Sequence, residues 1–278
     1  MPVGGPQHRP CKVHAIVLEE QLVPVDLSGK NGIVFGVAND RSIAWAITQA
    51  LSDAGARLAL TYQGDRLKER VERLALSLDQ PLLLPCDATD DGQIEEVFDA
   101  LGQQFGEISF LIHSIAFANR EDLSGRFVDT GRDGFRIAME VSAYSLLPLV
   151  RHASPLMSGG GSVVAMTFDA SQRVYPGYNV MGSAKAALEH AVRQLAAEMG
   201  PANIRVNAIS AGPLETLAAR GISGFRDMRH AHAERAPLQR NITVEEVAQT
   251  ALFLCSPMSS GITGAVIPVD AGYHIMAV

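Results

Sequence analysis

From residue 27 onward, short apolar runs alternate with longer mixed segments. The first run, Gly32-Ile33-Val34-Phe35-Gly36, reads as a buried strand leaving into a loop. Ser42 is placed to cap a helix that continues through Ile43, Ala44, Ala46 and Ile47 to Ala54-Gly55. Further strands are expected over 57–62, 82–84, 108–112, 162–166, 204–209 and 266–269. Helices are expected over 65–78, 94–105, 135–151, about 179–199 and 244–255, with a loop and short helix between Gly212 and Ala236. Near-continuous apolar strands joined by helices predict a parallel sheet covered on both faces. The fold class is therefore α/β: a single doubly wound, Rossmann-type domain over residues 27–278, with a seven-stranded parallel sheet. Residues 1–26 have no apolar period and are expected to form a loose leader outside it.

Composition narrows the function classes. The 278 residues include 30 acidic and 23 basic side chains, a formal charge of −7, with 47% apolar and 19% charged residues. That balance supports a large core and excludes a disordered chain. A net negative charge argues against a nucleic-acid partner. No run approaches the roughly 18 apolar residues of a membrane span. Cys11, Cys86 and Cys255 are odd in number and far apart, without metal-ligand spacing. They read as reduced thiols of a reducing, cytoplasmic compartment.

Ligands of doubly wound sheets sit beyond the carboxyl ends of the strands. Here those ends are 36–42, Tyr62-Gln63, Cys86-Asp87-Ala88 and His113-Ser114-Ile115-Ala116. The first is a strand–loop–helix turn of small residues, suited to presenting backbone N–H groups to a pyrophosphate, although Ser42 and Ala44 stand where further glycines would complete the usual fingerprint. Asp87 suits an adenine amino group or, alternatively, a helix cap. Gln63 falls where an adenosine ribose is met, and no cation follows until Arg66.

Tyr178 and Lys185 follow the fifth strand, seven residues apart, which on a helix puts both on one face. A nearby ammonium favours the more anionic state of a phenol and can hold a ribose. His230, His232 and Glu234 invite a metal reading, but helical spacing turns His232 away from the other two, and a solvated helix is the simpler expectation. Common short-chain dehydrogenases have Tyr and Lys four apart and a Ser thirteen before the Tyr. Gly182 and Ala165 occupy those places here, and Tyr175 offers no substitute, since Asn179 lies four after it.

Taken together, Gly36 with Ser42-Ile43-Ala44, Cys86-Asp87, 113–118, Tyr178-Asn179-Val180-Met181-Gly182 with Lys185, 205–213, 261–264 and Val269-Asp270 resemble the bacterial enoyl-acyl-carrier-protein reductases, a divergent branch of the short-chain dehydrogenases. The resemblance is collinear over about residues 26 to 276. It implies NADH-dependent reduction of trans-2-enoyl thioesters on acyl carrier protein, in type II fatty-acid synthesis, by a homotetramer. The implied catalytic residues are Tyr178, facing the thioester carbonyl, and Lys185, which also bonds the nicotinamide ribose. The implied cofactor residues are Gly36, Ser42 and Ile43 at the pyrophosphate, Gln63 at the adenosine ribose, and Asp87 and Ala88 at the adenine. Ile115 would lie near the nicotinamide ribose, and Leu214, Glu215, Thr216, Leu217 and Ala218 would cover the nicotinamide and phosphates. Ala118 and Phe168 would border the substrate. Two departures stand out. Phe168 replaces the family's usual second Tyr, as in the mycolic-acid type of enoyl reductase, and Glu215 replaces an Arg, which would weaken cofactor binding if its side chain pointed inward. A reductase of another enoyl thioester, such as a CoA ester, and a non-catalytic dinucleotide sensor remain the rival readings.

Overall fold

The computed structural model describes residues 25–216, 219, 222 and 224–277. The expected leader falls almost wholly on residues 1–24, outside the described residues. Val25 already packs against the core, and the Leu27 N–H donates to Ala54 O at 2.7 Å, tying the start of the domain to the first helix turn.

Seven strands form one sheet: β1 (Asn31–Phe35), β2 (Arg57–Tyr62), β3 (Leu82–Pro85), β4 (Phe110–His113), β5 (Gly161–Thr167), β6 (Ile204–Ala211) and β7 (Val266–Val269). Their order is β3-β2-β1-β4-β5-β6-β7, and every pairing is parallel. The chain reverses direction of travel between β1 and β4, so the crevice for a ligand opens beyond Phe35 and His113. Strand alternation divides the core. Val34 and Ile112 face the layer that includes α1 (Ile43–Asp53), whereas Ile33, Phe35 and Leu111 face the opposite one, on the side of α3 (Asp91–Phe105). Between α1 and α3 in sequence lies α2 (Asp65–Ala75), which follows Gly64 directly and packs Val71 into the α1 layer.

The segment expected as one helix over 135–151 is instead three pieces: α4 (Arg132–Met139), a π-helical turn (Glu140–Tyr144) and α5 (Leu146–Ala153). Pro148 explains the break: it has no N–H for the carbonyl of Tyr144, and its ring crowds that carbonyl. The ladder widens just before it, with Ser145 N bonding to Glu140 O at 3.0 Å. Two long elements complete the second half, α6 (Val180–Met199) and α8 (Val244–Cys255), with α7 (Phe225–Arg235) between them. Thr243 and Glu246 form a reciprocal capping box at the start of α8.

Candidate active site

A cavity of about 1050 Å³ runs along the carboxyl ends of the strands, from Gln63 and Asp87 at one end to Phe168, Tyr178 and Met228 at the other. The end expected to take a pyrophosphate is built from backbone. Gly36 has φ +98°, and a Cβ there would stand 2.1 Å from the carbonyl oxygen of Ser114. Only glycine lets the ends of β1 and β4 approach so closely. Ser42 caps α1, accepting from Trp45 N at 3.2 Å while its hydroxyl donates to Asn39 O at 2.8 Å. The positive end of α1 therefore points into the cavity beside Ile43.

At the opposite end, beyond β2 and β3, Asp87 accepts from Gln63 Nε2 at 2.8 Å and from the Thr89 N–H and hydroxyl at 2.9 and 2.7 Å. Partial burial raises its carboxyl, but the bonds from Thr89 and Gln63 outweigh that and hold it below the usual range. Three donors on a carboxylate leave lone-pair capacity for one more, which suits an exocyclic amine. The cap of α3 is Asp90, not Asp87.

The end expected to be catalytic differs from expectation in one respect. Tyr178 is not on the helix. It precedes α6 in a turn in which Asn179 takes φ +36° and reaches the carbonyls of Ser124 and Gly125 at 3.4 and 3.3 Å. Tyr178 and Lys185 still line the same cavity, brought there by this turn rather than by helical phase. Gly182 permits it: a Cβ there would lie 2.8 Å from Ala170 O, so α6 can seat against the loop after β5.

Lys185 is buried and donates to Met166 O at 2.8 Å. Sequence reading missed Glu189, one turn on, which is buried and accepts from the Thr167 hydroxyl at 2.8 Å; the i, i+4 spacing from Lys185 was its signal. Burial pushes the Lys185 ammonium down to about 8, against the opposing charge of Glu189. Burial also pushes the Tyr178 phenol upward, so the phenol stays protonated. The expected drift toward phenolate under the influence of Lys185 is not what this site shows: desolvation raises the phenol, which leaves Tyr178 with a hydroxyl proton to donate.

Because the ordinary lysine value is 10.5, the unfolded chain holds a proton between about 8 and 10.5 that the folded ligand-free chain has released. Stability should therefore rise with pH across that window relative to Lys185→Met. Thermal melts of both proteins from pH 8 to 10.5 check this; a constant difference in Tm would refute it.

Behind the end where a nicotinamide is expected stands a second network that the sequence did not reveal. His113 is fully buried, and burial together with the charge of Lys185 pushes it down to about 3. It pairs with Ser145 Oγ at 2.8 Å, and since that hydroxyl donates to Val141 O at 2.7 Å, the imidazole Nε2–H is the donor. Ser142, on the π turn, both accepts from Phe117 N and donates to Phe117 O, at 2.9 and 3.1 Å. The irregular turn thus holds the loop that carries Ile115 and Ala118.

Among the remaining expected residues, Ala88, Ile115, Ala118, Phe168, Leu214 and Thr216 line the cavity. Glu215 does not: its side chain is 69% exposed and pairs with Arg229 of α7. The feared repulsion with a phosphate is therefore absent from this arrangement. Leu217 and Ala218 lie outside the described residues. His230 and Glu234 pair at 3.1 Å on the exposed face of α7, but His232, expected on a solvated helix, is buried and stacked on Tyr273 at 4.6 Å.

Fold and site define a nucleotide-dependent oxidoreductase of the short-chain dehydrogenase type. A family model described as enoyl-(acyl carrier protein) reductase matches residues 36–274. The chain is 51% identical over 253 residues to the NADH enoyl-acyl-carrier-protein reductase of Bacillus subtilis, covering 90% of this chain and 98% of that protein. It is 50% identical over 248 residues to the first such NADH reductase of Rhizobium meliloti, covering 89% and 91%. The solved Bacillus cereus enoyl-acyl carrier protein reductase, with NADP+ and an indole naphthyridinone, superposes with a TM-score of 0.89 at 49% identity, covering 91% of this chain and 99% of that one. The Anaplasma phagocytophilum reductase, solved with NAD, superposes at 0.87 and 43% identity, covering 90% and 96%. The chain belongs to the enoyl-acyl-carrier-protein reductase family.

Proposed function

We propose that the protein reduces trans-2-enoyl thioesters carried on acyl carrier protein, with NADH as hydride source. The observation that carries this reading is the meeting of Tyr178 and Lys185 in one cavity, between a dinucleotide cradle and the apolar wall of Phe168 and Met181. The cradle fits NADH by the close backbone step at Gly36, the capped N-terminus of α1 beside it and the spare acceptor capacity of Asp87. Lys185 would hold the nicotinamide ribose and Ile115 would flank it. Bound there, the nicotinamide supplies hydride to the β-carbon of the conjugated thioester. Negative charge then gathers on the thioester carbonyl oxygen, the protonated Tyr178 donates to it, and a proton delivered to the α-carbon, directly or through solvent, completes the reduction. Loss of NADH absorbance with a crotonyl thioester tests the reading. Faster turnover on the acyl-carrier-protein ester than on the CoA ester is expected. No turnover on either would leave only the sensor reading.

NADH is favoured over NADPH because Asp65 occupies the first turn of α2, next to Gln63-Gly64. An open helix N-terminus would welcome a 2′-phosphate, and this carboxylate opposes one. Catalytic efficiency should be at least about tenfold higher with NADH, a difference of about 1.4 kcal/mol. Asp65→Asn should narrow the gap; equal efficiency in the unaltered protein, through the exposed Arg66, would refute the assignment.

Phe168 is proposed as a wall and not as a failed donor. Phe168→Tyr should change kcat/KM by less than about tenfold, whereas Phe168→Ala should raise KM for the thioester. A gain of a hundredfold in Phe168→Tyr, roughly 2.7 kcal/mol, would mean that the site is short of a donor.

A homotetramer is proposed from an apolar groove on α4, the π turn and α6, flanked by Phe135, Met139, Tyr144, Leu147, Ala187 and Ala191. Phe135 and Tyr144 are 40% and 49% exposed, large aromatic surface that a second copy would cover. The cytoplasm suits the buried free thiols Cys86 and Cys255, and no helix among the described residues is long and apolar enough to cross a membrane.

A further inference from the structure

We infer that Tyr175 is a positioning residue for the reduction: by pinning Phe168 it sets the angle at which Tyr178 meets the thioester carbonyl. Three aromatic rings stand in a row. The centroid of Phe168 is 4.7 Å from that of Tyr175 and 4.9 Å from that of Tyr178, with interplanar angles of 50° and 51°. Phe168 and Tyr178 line the cavity, and Tyr175 stands behind them, outside the lining. Tilted contacts at this spacing are specific in angle as well as in area.

Among the described residues the Tyr178 hydroxyl has no hydrogen-bond partner, so ring packing decides where it points. That makes the back of the row important. Tyr175 is fixed by its own hydroxyl, which donates to Asp169 Oδ2 at 2.9 Å. Asp169 is also held by Arg173, at 3.5 Å, and Arg173 in turn donates to the carbonyls of Met276, at 2.9 Å, and His274. The loop after β5 is thereby tied to the C-terminal tail on one side. On the other it meets α6 at the close approach of Ala170 to Gly182. A ring anchored in this frame transmits a defined position through Phe168 to the donor, and a donor misplaced by 1 Å loses much of its effect.

The inference rests on Tyr178 as the donor, and the experiment separates the two. Initial rates would be measured for Tyr175→Ala, Tyr175→Phe, Phe168→Ala, the Tyr175→Ala/Phe168→Ala double variant and Tyr178→Phe. Tyr175→Ala should lower kcat about tenfold with KM for NADH unchanged, and Tyr175→Phe, which keeps the ring but loses its bond to Asp169, should give an intermediate kcat. In the Phe168→Ala background, Tyr175→Ala should change kcat by less than about twofold, because the ring through which it acts is gone. Equal losses in both backgrounds, no loss in either, or a parallel rise in KM for NADH would overturn the positioning role. Should Tyr175→Ala fail to fold, Tyr175→Leu takes its place in the cycle. An unchanged kcat in Tyr178→Phe would instead overturn the donor assignment itself.

Discussion

Gly36→Ala should lower Tm by about 6–12 °C and abolish detectable NADH binding. The fall follows from about 3 kcal/mol of backbone strain in a domain of this size. Two effects coincide at this position. The backbone sits at φ +98°, and the new methyl would meet Ser114 O at 2.1 Å and its carbonyl carbon at 2.7 Å, which are main-chain atoms of the neighbouring strand end and not a side chain that can swing away. Relief requires β1 and β4 to separate where the pyrophosphate is expected, so strain and lost binding have one cause. Gly29→Ala is the matched control. Gly29 also has a positive φ, +75°, but nothing lies within 4 Å of its Cβ position. It should cost only about 1 kcal/mol and leave NADH binding intact. Differential scanning calorimetry and a fluorescence titration with NADH check both variants. Equal behaviour of the two would show that the step at Gly36 is not special.

The sheet was legible because each strand is a near-continuous apolar run between helices, and β2, β7 and α8 begin and end where the pattern places them. The cofactor end was legible for a related reason: its residues sit at strand ends, which the order of elements alone brings together. The catalytic end was legible only in part. Hydrophobic periodicity assumes a continuous helix, and two interruptions violate it. Asn179 takes a left-handed backbone that no periodic pattern encodes, so Tyr178 reaches the cavity by a turn. Pro148 and Ser145 widen the helix before α5, placing Ser142 and Ser145 under the loop that lines the nicotinamide end.

Long-range side-chain choices were less legible still. Glu215 turned out to be a surface ion pair because Arg229, fourteen residues later, packs beside it, and nothing near Glu215 in sequence says so. His232 is buried because the C-terminal tail brings Tyr273 against it. In each case the deciding neighbour arrives from another element, where the local pattern is silent and only the fold speaks.

Tyr178→Phe and Lys185→Ala should fail in different ways. Tyr178→Phe should lower kcat by about 10²–10³, the range for losing one oxyanion donor, while NADH binding stays within about twofold. The reason is differential: the hydroxyl matters little to the ground-state carbonyl and much to the enolate oxygen that follows hydride arrival. The raised phenol makes it a donor across the working pH range, so the loss should not be recovered by raising pH. Lys185→Ala should act first on cofactor. Its ammonium bonds Met166 O at the end of β5 and sits above the buried Glu189, whose carboxylate would be left without a neighbouring cation. NADH affinity should fall by at least about tenfold, the loss of one charge-assisted contact, and kcat at saturating NADH should fall less than in Tyr178→Phe. Lys185→Met separates the charge from the packing: it refills the volume but restores no ribose contact, so affinity should stay low while Tm recovers. Stopped-flow binding and single-turnover reduction of a crotonyl thioester distinguish the two residues. A Tyr178→Phe enzyme that no longer binds NADH, beside a Lys185→Ala enzyme that binds it normally, would exchange the roles assigned to them.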